Sequence, residues 1–148
     1  MLSKTAEYAL RCIIYVALGQ AAGKKIGIKE IAKELEMPQP FIGKILQNIV
    51  RHGLLSSVKG PNGGFYLGEK GDQVTIMDVV NITDGSETFK KCGLGLKNCS
   101  DVHPCPLHSE FKVYRDGIKD LFCKKTIKEL VDSIESGQGF IVNMKLTA

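Results

Sequence analysis

Three of the five cysteines in this 148-residue chain fall between positions 92 and 105. Cys92, Cys99 and Cys105 are spaced Cys-x6-Cys-x5-Cys, and His108 follows the last of them after two residues. Thiolates and imidazoles are the soft and borderline donors that proteins offer to transition metals. Structural zinc modules pair their thiols as Cys-x2–4-Cys, so that a tight knuckle holds two sulfurs. The gaps here are wider. They suit a loop wrapped around a larger group, an iron–sulfur cluster, with Gly93 and Gly95 letting backbone amides approach the sulfurs. Three thiolates and one imidazole make four ligands, and a nitrogen ligand raises the reduction potential and adds a protonatable site. A [2Fe–2S] cluster is expected ahead of a [4Fe–4S] one. A structural zinc ion and a metal-free thiol switch are the alternatives. His103 could compete with His108, but His108 starts a helix and so gives the loop a rigid anchor. The lone cysteines, Cys12 and Cys123, are expected to be small buried hydrophobes.

The elements around this loop follow from periodicity and capping signals. Ser3 caps a helix over 4–18, in which Ala6, Leu10, Ile13, Ile14 and Ala17 recur at helical spacing. A short helix over 28–35 carries Ile28, Ile31, Ala32 and Leu35 on one face. A third runs from 39 or 40 to 52, with Pro40 tolerated in its first turn and Gly53 as its terminal cap. Strands over 55–58 and 65–67 flank Gly-Pro-Asn-Gly-Gly, which reads as a β-hairpin turn. Thr75 with Asp78, and Thr126 with Glu129, form capping boxes for helices ending near 82 and 134. Between them lie the cysteine loop, 84–106, and a long helix over 107–124. In that helix Leu107, Phe111, Tyr114, Ile118 and Leu121 alternate steps of four and three, the seam along which one helix packs on another.

Helix, short helix, tight turn, helix and glycine-tipped hairpin is the order of a winged helix-turn-helix. The expected fold is mainly α with this small hairpin, a DNA-binding domain joined to a long dimerisation helix. In the third helix Ile42, Ile45, Leu46 and Ile49 point inward, while Lys44, Gln47, Asn48 and Arg51 share the opposite face. Amides and cations are the groups that bond base edges and phosphates. Gln39 and Phe41, near the helix start, would reach deepest into a major groove. Lys59 at the base of the hairpin, with Asn62 and Gly63 at its tip, makes a compact cationic finger for the adjacent minor groove or backbone. A dimer would set two such helices about one DNA turn apart, over a palindromic double-stranded site.

Charge agrees with this division. The net charge is +4, yet residues 1–70 hold ten Lys/Arg against five Asp/Glu, and residues 71–148 hold ten against eleven. The half facing a polyanion is therefore the N-terminal one. No stretch reaches the roughly 18 apolar residues needed to cross a bilayer, and the opening "MLSKTAEYALRC" is not a secretory leader, so a cytoplasmic location is expected. No nucleophile–base constellation or phosphate loop is present, and Gly-Pro-Asn-Gly-Gly lacks the Lys-Ser/Thr of a nucleotide site, so an enzyme and a small-molecule substrate are not expected. An electron carrier could use the same cluster but has no need of a basic wing. A metal-free adaptor on the same scaffold is the remaining rival.

The opening "SKTAEYALRCIIYVA", the helix pair "IGIKEIAKELEMPQPFIGKILQNIVRHGLL", the wing "SSVKGPNGGFYL" and the three later cysteines together resemble the Rrf-two family of bacterial winged-helix regulators, over about residues 1–135. The resemblance implies a homodimer on palindromic promoter DNA, whose site choice responds to an iron–sulfur cluster and so to cluster supply, oxidants or nitric oxide. It places the cluster thiols on Cys92, Cys99 and Cys105. In the IscR-like branch the fourth ligand falls on His108; in the NsrR-like branch it falls on a first-helix carboxylate of the partner subunit, where Glu7 stands. The first inter-cysteine gap is longer than either branch implies. Gly43 stands where IscR-like members carry a glutamate, so base preference does not transfer. The implied organisation is a DNA-binding domain over 1–83, a cluster loop over 84–106, dimerisation helices over 107–136 and a tail over 137–148.

Overall fold

The structure, a computed structural model, describes residues 1–141. The described residues form six α-helices and one two-stranded antiparallel sheet: α1 (Lys4–Ala21), α2 (Ile28–Glu34), α3 (Gln39–Arg51), β1 (Leu55–Val58), β2 (Gly64–Leu67), α4 (Ile76–Thr83), α5 (His108–Lys124) and α6 (Ile127–Glu135). Residues 142–148 of the tail lie outside the described part.

α1 is the central element. Ser3 caps it by accepting the Ala6 N–H at 3.0 Å, and it runs a turn beyond the expected end at Leu18 because the run Ile13–Gly19 is buried throughout. α2 and α3 close against it through Ile31, Ile42, Leu46 and Ile49, all at or near zero exposure. Their connection turns at Glu36, which takes a positive φ of 54°. A Cβ on Gly43 would meet Ile28 Cδ1 at 3.1 Å, so the missing side chain lets α3 sit tightly on α2.

The hairpin pairs Leu55 with Leu67 through Val58 with Gly64. It gains a third edge that periodicity did not suggest: Ile26 exchanges two backbone hydrogen bonds with Phe65, at 3.1 and 2.8 Å. Gly64 permits this approach, with φ +144° and an ideal Cβ position only 2.8 Å from the Ile26 backbone. The Gln20 side-chain carbonyl accepts the Leu67 N–H and ties the wing to α1.

Both capping boxes form, Thr75 with Asp78 and Thr126 with Glu129. The two helix starts are also joined, since Ile76 N–H donates to the Lys125 carbonyl and Ile127 N–H to that of Val74. α6 therefore folds back, and Ile127 and Val131 enter the same core as α1. α5 packs differently from an ordinary core helix, with no buried residue along its length. Ile118 and Phe122 reach a second small core formed by Ile76, Met77, Val80 and Phe89, where Phe89 and Phe122 meet edge to face at 5.7 Å. Two 3-10 turns, Gly71–Gln73 and Thr88–Lys90, interrupt stretches that sequence patterning leaves as loop.

Candidate metal centre and nucleic-acid interface

The loop between α4 and α5 brings its three thiols together. The sulfurs of Cys92, Cys99 and Cys105 all lie within 4.8 Å of one another, with Cys92 and Cys105 at 3.6 Å. His108, the first residue of α5, sets its Nδ1 3.1 Å from Cys99 Sγ, beside the three-thiol group and not within it. Helix α5 holds the loop on both sides of Cys92. Arg115 donates to the Lys91 carbonyl at 2.9 Å, and the Phe111 ring lies so close to Gly93 that a Cβ there would approach it to 2.8 Å. Gly93 is thus required by the packing, and Gly95, at φ +77°, by the turn.

Backbone donors polarise the sulfurs. The N–H groups of Leu96 and Leu94 lower the Cys92 thiol to about 7, against the opposing effect of desolvation; that of Leu94 lies at 3.4 Å. At Cys99 the Cys105 N–H acts to lower the thiol, but desolvation and the neighbouring thiols outweigh it and the group is pushed up. Cys92 is thus the readier thiolate and Cys99 the more reluctant one, because a neighbouring negative charge resists the next.

The donor set fits a metal. Around one tetrahedral ion with metal–sulfur bonds near 2.3 Å, neighbouring sulfurs stand about 3.8 Å apart, and the 3.6 Å between Cys92 and Cys105 is close to that. An iron–sulfur cluster sets its terminal thiolates wider, because bridging sulfides separate the irons. The loop must spread to receive one, about the Lys91 and Gly93 contacts that tie it to α5. Glu7 does not belong to this group within its own chain; it pairs with Lys4 at 3.4 Å. His103 is exposed and lines a ≈ 250 Å³ hollow beside Cys99 and Cys105. Of the lone cysteines, Cys12 is buried as expected, whereas Cys123 is exposed on the solvent side of α5.

Four of the residues expected to contact DNA are assembled on one side of α3. Lys44, Gln47, Asn48 and Arg51 line a ≈ 450 Å³ groove along α3, bounded by Thr5 of α1 and Thr83 of α4. Lys44, Gln47 and Arg51 are exposed and Asn48 is half-buried. Gln39 is exposed at the helix start, but Phe41 is half-buried and sets its ring edge to face on Tyr8 at 5.4 Å. Lys59 and Asn62 project at the wing, and a Cβ on Gly63 would strike the Val58 carbonyl oxygen at 2.0 Å. The long-helix seam divides: Phe111 and Ile118 face the chain, while Leu107, Tyr114 and Leu121 are 37%, 74% and 50% exposed.

A winged helix with a three-thiol loop at the foot of a long helix defines a class of DNA-binding transcription regulator. The chain belongs to the Rrf2 family, described as iron-dependent transcriptional regulators, whose profile matches residues 2–133. It is 33% identical over 132 residues to an HTH-type transcriptional regulator, so named, of Aquifex aeolicus (strain VF5), covering 88% of this chain and 90% of that one. It is 25% identical over 134 residues to the HTH-type transcriptional regulator IscR of Pectobacterium atrosepticum, covering 90% and 80%. Its fold matches that of CymR, the global cysteine regulator of B. subtilis, with a TM-score of 0.73 at 20% identity, over 89% of this chain and 96% of that one. Among the described residues no helix is long and apolar enough to cross a membrane.

Proposed function

We propose that this chain is a cytoplasmic homodimeric regulator whose hold on palindromic promoter DNA is set by an iron–sulfur cluster bound through Cys92, Cys99, Cys105 and His108. The observation that carries the reading is the gathering of three thiols within 4.8 Å of one another, with the His108 imidazole 3.1 Å from Cys99 Sγ, on a loop held against α5. A bound cluster would supply a redox-active, oxidant-sensitive centre, of the [2Fe–2S] type before the [4Fe–4S] type. The chain's own part is to change the packing of the loop on α5 and α4, and with it the tilt of the two α3 helices on DNA. A tenfold change in affinity needs about 1.4 kcal/mol of difference between the two states. Exposed Gln39, Lys44, Gln47 and Arg51, with Asn48, would read bases and phosphates, and Lys59, Asn62 and Gly63 would follow the backbone.

The test is anaerobic purification followed by iron, sulfide and zinc analysis, with gel-shift titration of loaded protein and Cys92→Ala on cognate promoter fragments. Matched iron and sulfide, and a Cys92→Ala protein with altered affinity or site choice, support the reading. Indistinguishable binding by the two proteins would end the sensing claim. The compact 4.8 Å sulfur group supports a second reading, a single zinc ion in the same four-ligand site. One zinc per chain, without sulfide, would establish that instead. The partner subunit's Glu7 as fourth ligand belongs to the same experiment, through a Glu7→Gln variant.

A further inference from the structure

His108 is held from both ends. Its Nδ1 faces Cys99 Sγ at 3.1 Å, and its Nε2 lies 2.8 Å from Oδ1 of Asp101. A carboxylate only accepts hydrogen bonds, so Nε2 must carry a proton, and in the neutral ring Nδ1 then keeps a free lone pair. Lys112, one helical turn after His108, donates to both oxygens of Asp101 at 2.9 and 2.8 Å. The carboxylate is thereby fixed in position and cannot swing away from the ring. Asp101 comes from the loop, whereas His108 and Lys112 come from α5, so the three residues staple the loop to the helix at the metal-binding edge.

We propose that Asp101, anchored by Lys112, is the positioning residue that locks His108 in its Nε2–H tautomer and presents Nδ1 as the nitrogen ligand beside Cys99. This deepens, and rests on, the four-ligand reading above. Outer carboxylates of this kind orient ligand imidazoles and strengthen them as donors in metal sites generally. The consequence is specific: Nδ1 and not Nε2 binds the metal, and His108 is favoured over a carboxylate because its ring is aimed before any metal arrives. The side-chain partners of Asp101 are His108 and Lys112, not the thiols, so it acts only through the ring.

The tautomer can be read directly in the full-length, metal-free, reduced protein. Labelling histidines with nitrogen-15 and recording long-range proton–nitrogen correlations at a pH about two units above the ordinary imidazole value separates the neutral tautomers. His52 supplies an internal reference, because its Nδ1 lies 2.8 Å from the Asn48 carbonyl and must donate to it, the opposite tautomer. We expect His108 as Nε2–H in the wild type and in Asp101→Glu. Asp101→Ala should give a mixture of tautomers, and Asp101→Asn a shift towards Nδ1–H as the amide donates to Nε2, with His52 unchanged in every variant. An Nδ1–H ring in the wild type, or an unaltered His108 in Asp101→Ala, overturns the proposal. A second arm loads wild type and Asp101→Ala with ferrous iron and sulfide and measures nitrogen coupling to the reduced centre by pulsed electron paramagnetic resonance. Coupling in the wild type that is lost or weakened in Asp101→Ala supports the ligand role, and equal coupling in both overturns it. Failure of the wild type to take up iron and sulfide, with the tautomer result standing, removes the cluster reading and leaves the positioning role in place.

Discussion

The carboxylate of Asp84 accepts the backbone N–H of Ser3 at 3.0 Å and also takes the Ser3 hydroxyl proton in a hydrogen bond. Ser3 is the cap of α1, and Asp84 is the residue at which the cysteine loop leaves α4. Two groups 81 residues apart in sequence are thus fastened at one point. From there α1 continues to Tyr8, whose ring meets Phe41 of α3. A shift of the loop has a short, packed route to α3, the helix proposed to contact DNA. Coupling of this kind is established only by perturbing it.

Asp84→Ala removes both contacts while leaving the thiols intact. Each hydrogen bond contributes about 1 kcal/mol net, less where water competes. We expect a melting temperature lower by a few degrees, at about 2–4 °C per kcal/mol for a chain of this size. The diagnostic effect is on regulation: affinities of loaded and metal-free protein for one promoter should converge. If the loaded-to-free ratio is the same as in the wild type, the Ser3–Asp84 link carries no signal.

The wing separates electrostatic from structural roles. Lys59 is exposed, and Lys59→Ala should leave the melting curve unchanged while lowering the salt slope of DNA binding by about one phosphate's worth, near 0.9. Gly64→Ala acts through the fold. Alanine tolerates neither a φ of +144° nor contact with the Ile26 backbone at 2.8 Å, so the Ile26–Phe65 exchange must break, destabilising by more than about 1 kcal/mol. A Lys59→Ala protein with an unaltered salt slope would show that the wing does not touch phosphate.

How far these features can be read without coordinates depends on whether they are local. Thr75 with Asp78 and Thr126 with Glu129 announce their helices because a capping box spans only four residues, and both boxes form. Gly53, at φ +81°, stops α3 as its position suggests. The gathering of Cys92, Cys99 and Cys105 is likewise legible, since the loop is too short to scatter them, and His108 stands beside Cys99. What pattern cannot express is pairing between distant segments: Ile26 with Phe65, Gln20 with Leu67, and α6 returning to α1. Asp101 was missed for a related reason. An acid in an irregular loop has no period to place it, and only its distances to His108 and Lys112 distinguish it from an ordinary surface aspartate.

Thiol reactivity should follow the local environment of each cysteine. In metal-free protein at neutral pH, iodoacetamide should modify Cys92, lowered to about 7, before Cys99, which is raised. Cys12 is fully buried and pushed up to about 12 by desolvation, the nearby Arg11 opposing this only in part, so it should react only after unfolding. The same shift has a thermodynamic sign. Above the ordinary value of 9.0 the unfolded chain loses the Cys12 proton while the folded chain keeps it, so stability falls as pH rises from there towards about 12. Cys12→Ala should flatten that alkaline limb in denaturant titrations. Peptide mapping that found Cys99 labelled first would contradict the assigned environments.

The exposed half of the α5 seam leads to the last prediction. Leu107, Tyr114 and Leu121 are spaced seven apart, so they lie in one line along the helix, and Val113 beside them is 68% exposed. Phe111 and Ile118, from the same sequence pattern, are engaged within the chain, against Gly93 and the core of Met77 and Val80. One half of the seam therefore holds the cysteine loop, and the exposed half is where the proposed dimer would take a second copy. Tyr114→Glu changes only the outward half: a charge enters the seam where no intrachain contact depends on the ring. We expect sedimentation velocity to show a monomer with an unchanged circular dichroism spectrum, and palindromic DNA affinity to fall by more than about tenfold as two half-sites cease to be bound by one particle. Phe111→Ala should instead loosen the loop, impair metal uptake and leave the dimer intact. If Tyr114→Glu remained dimeric at micromolar concentration, the partner would have to dock elsewhere, and changes at the cysteine loop could no longer reach the second reading head through α5.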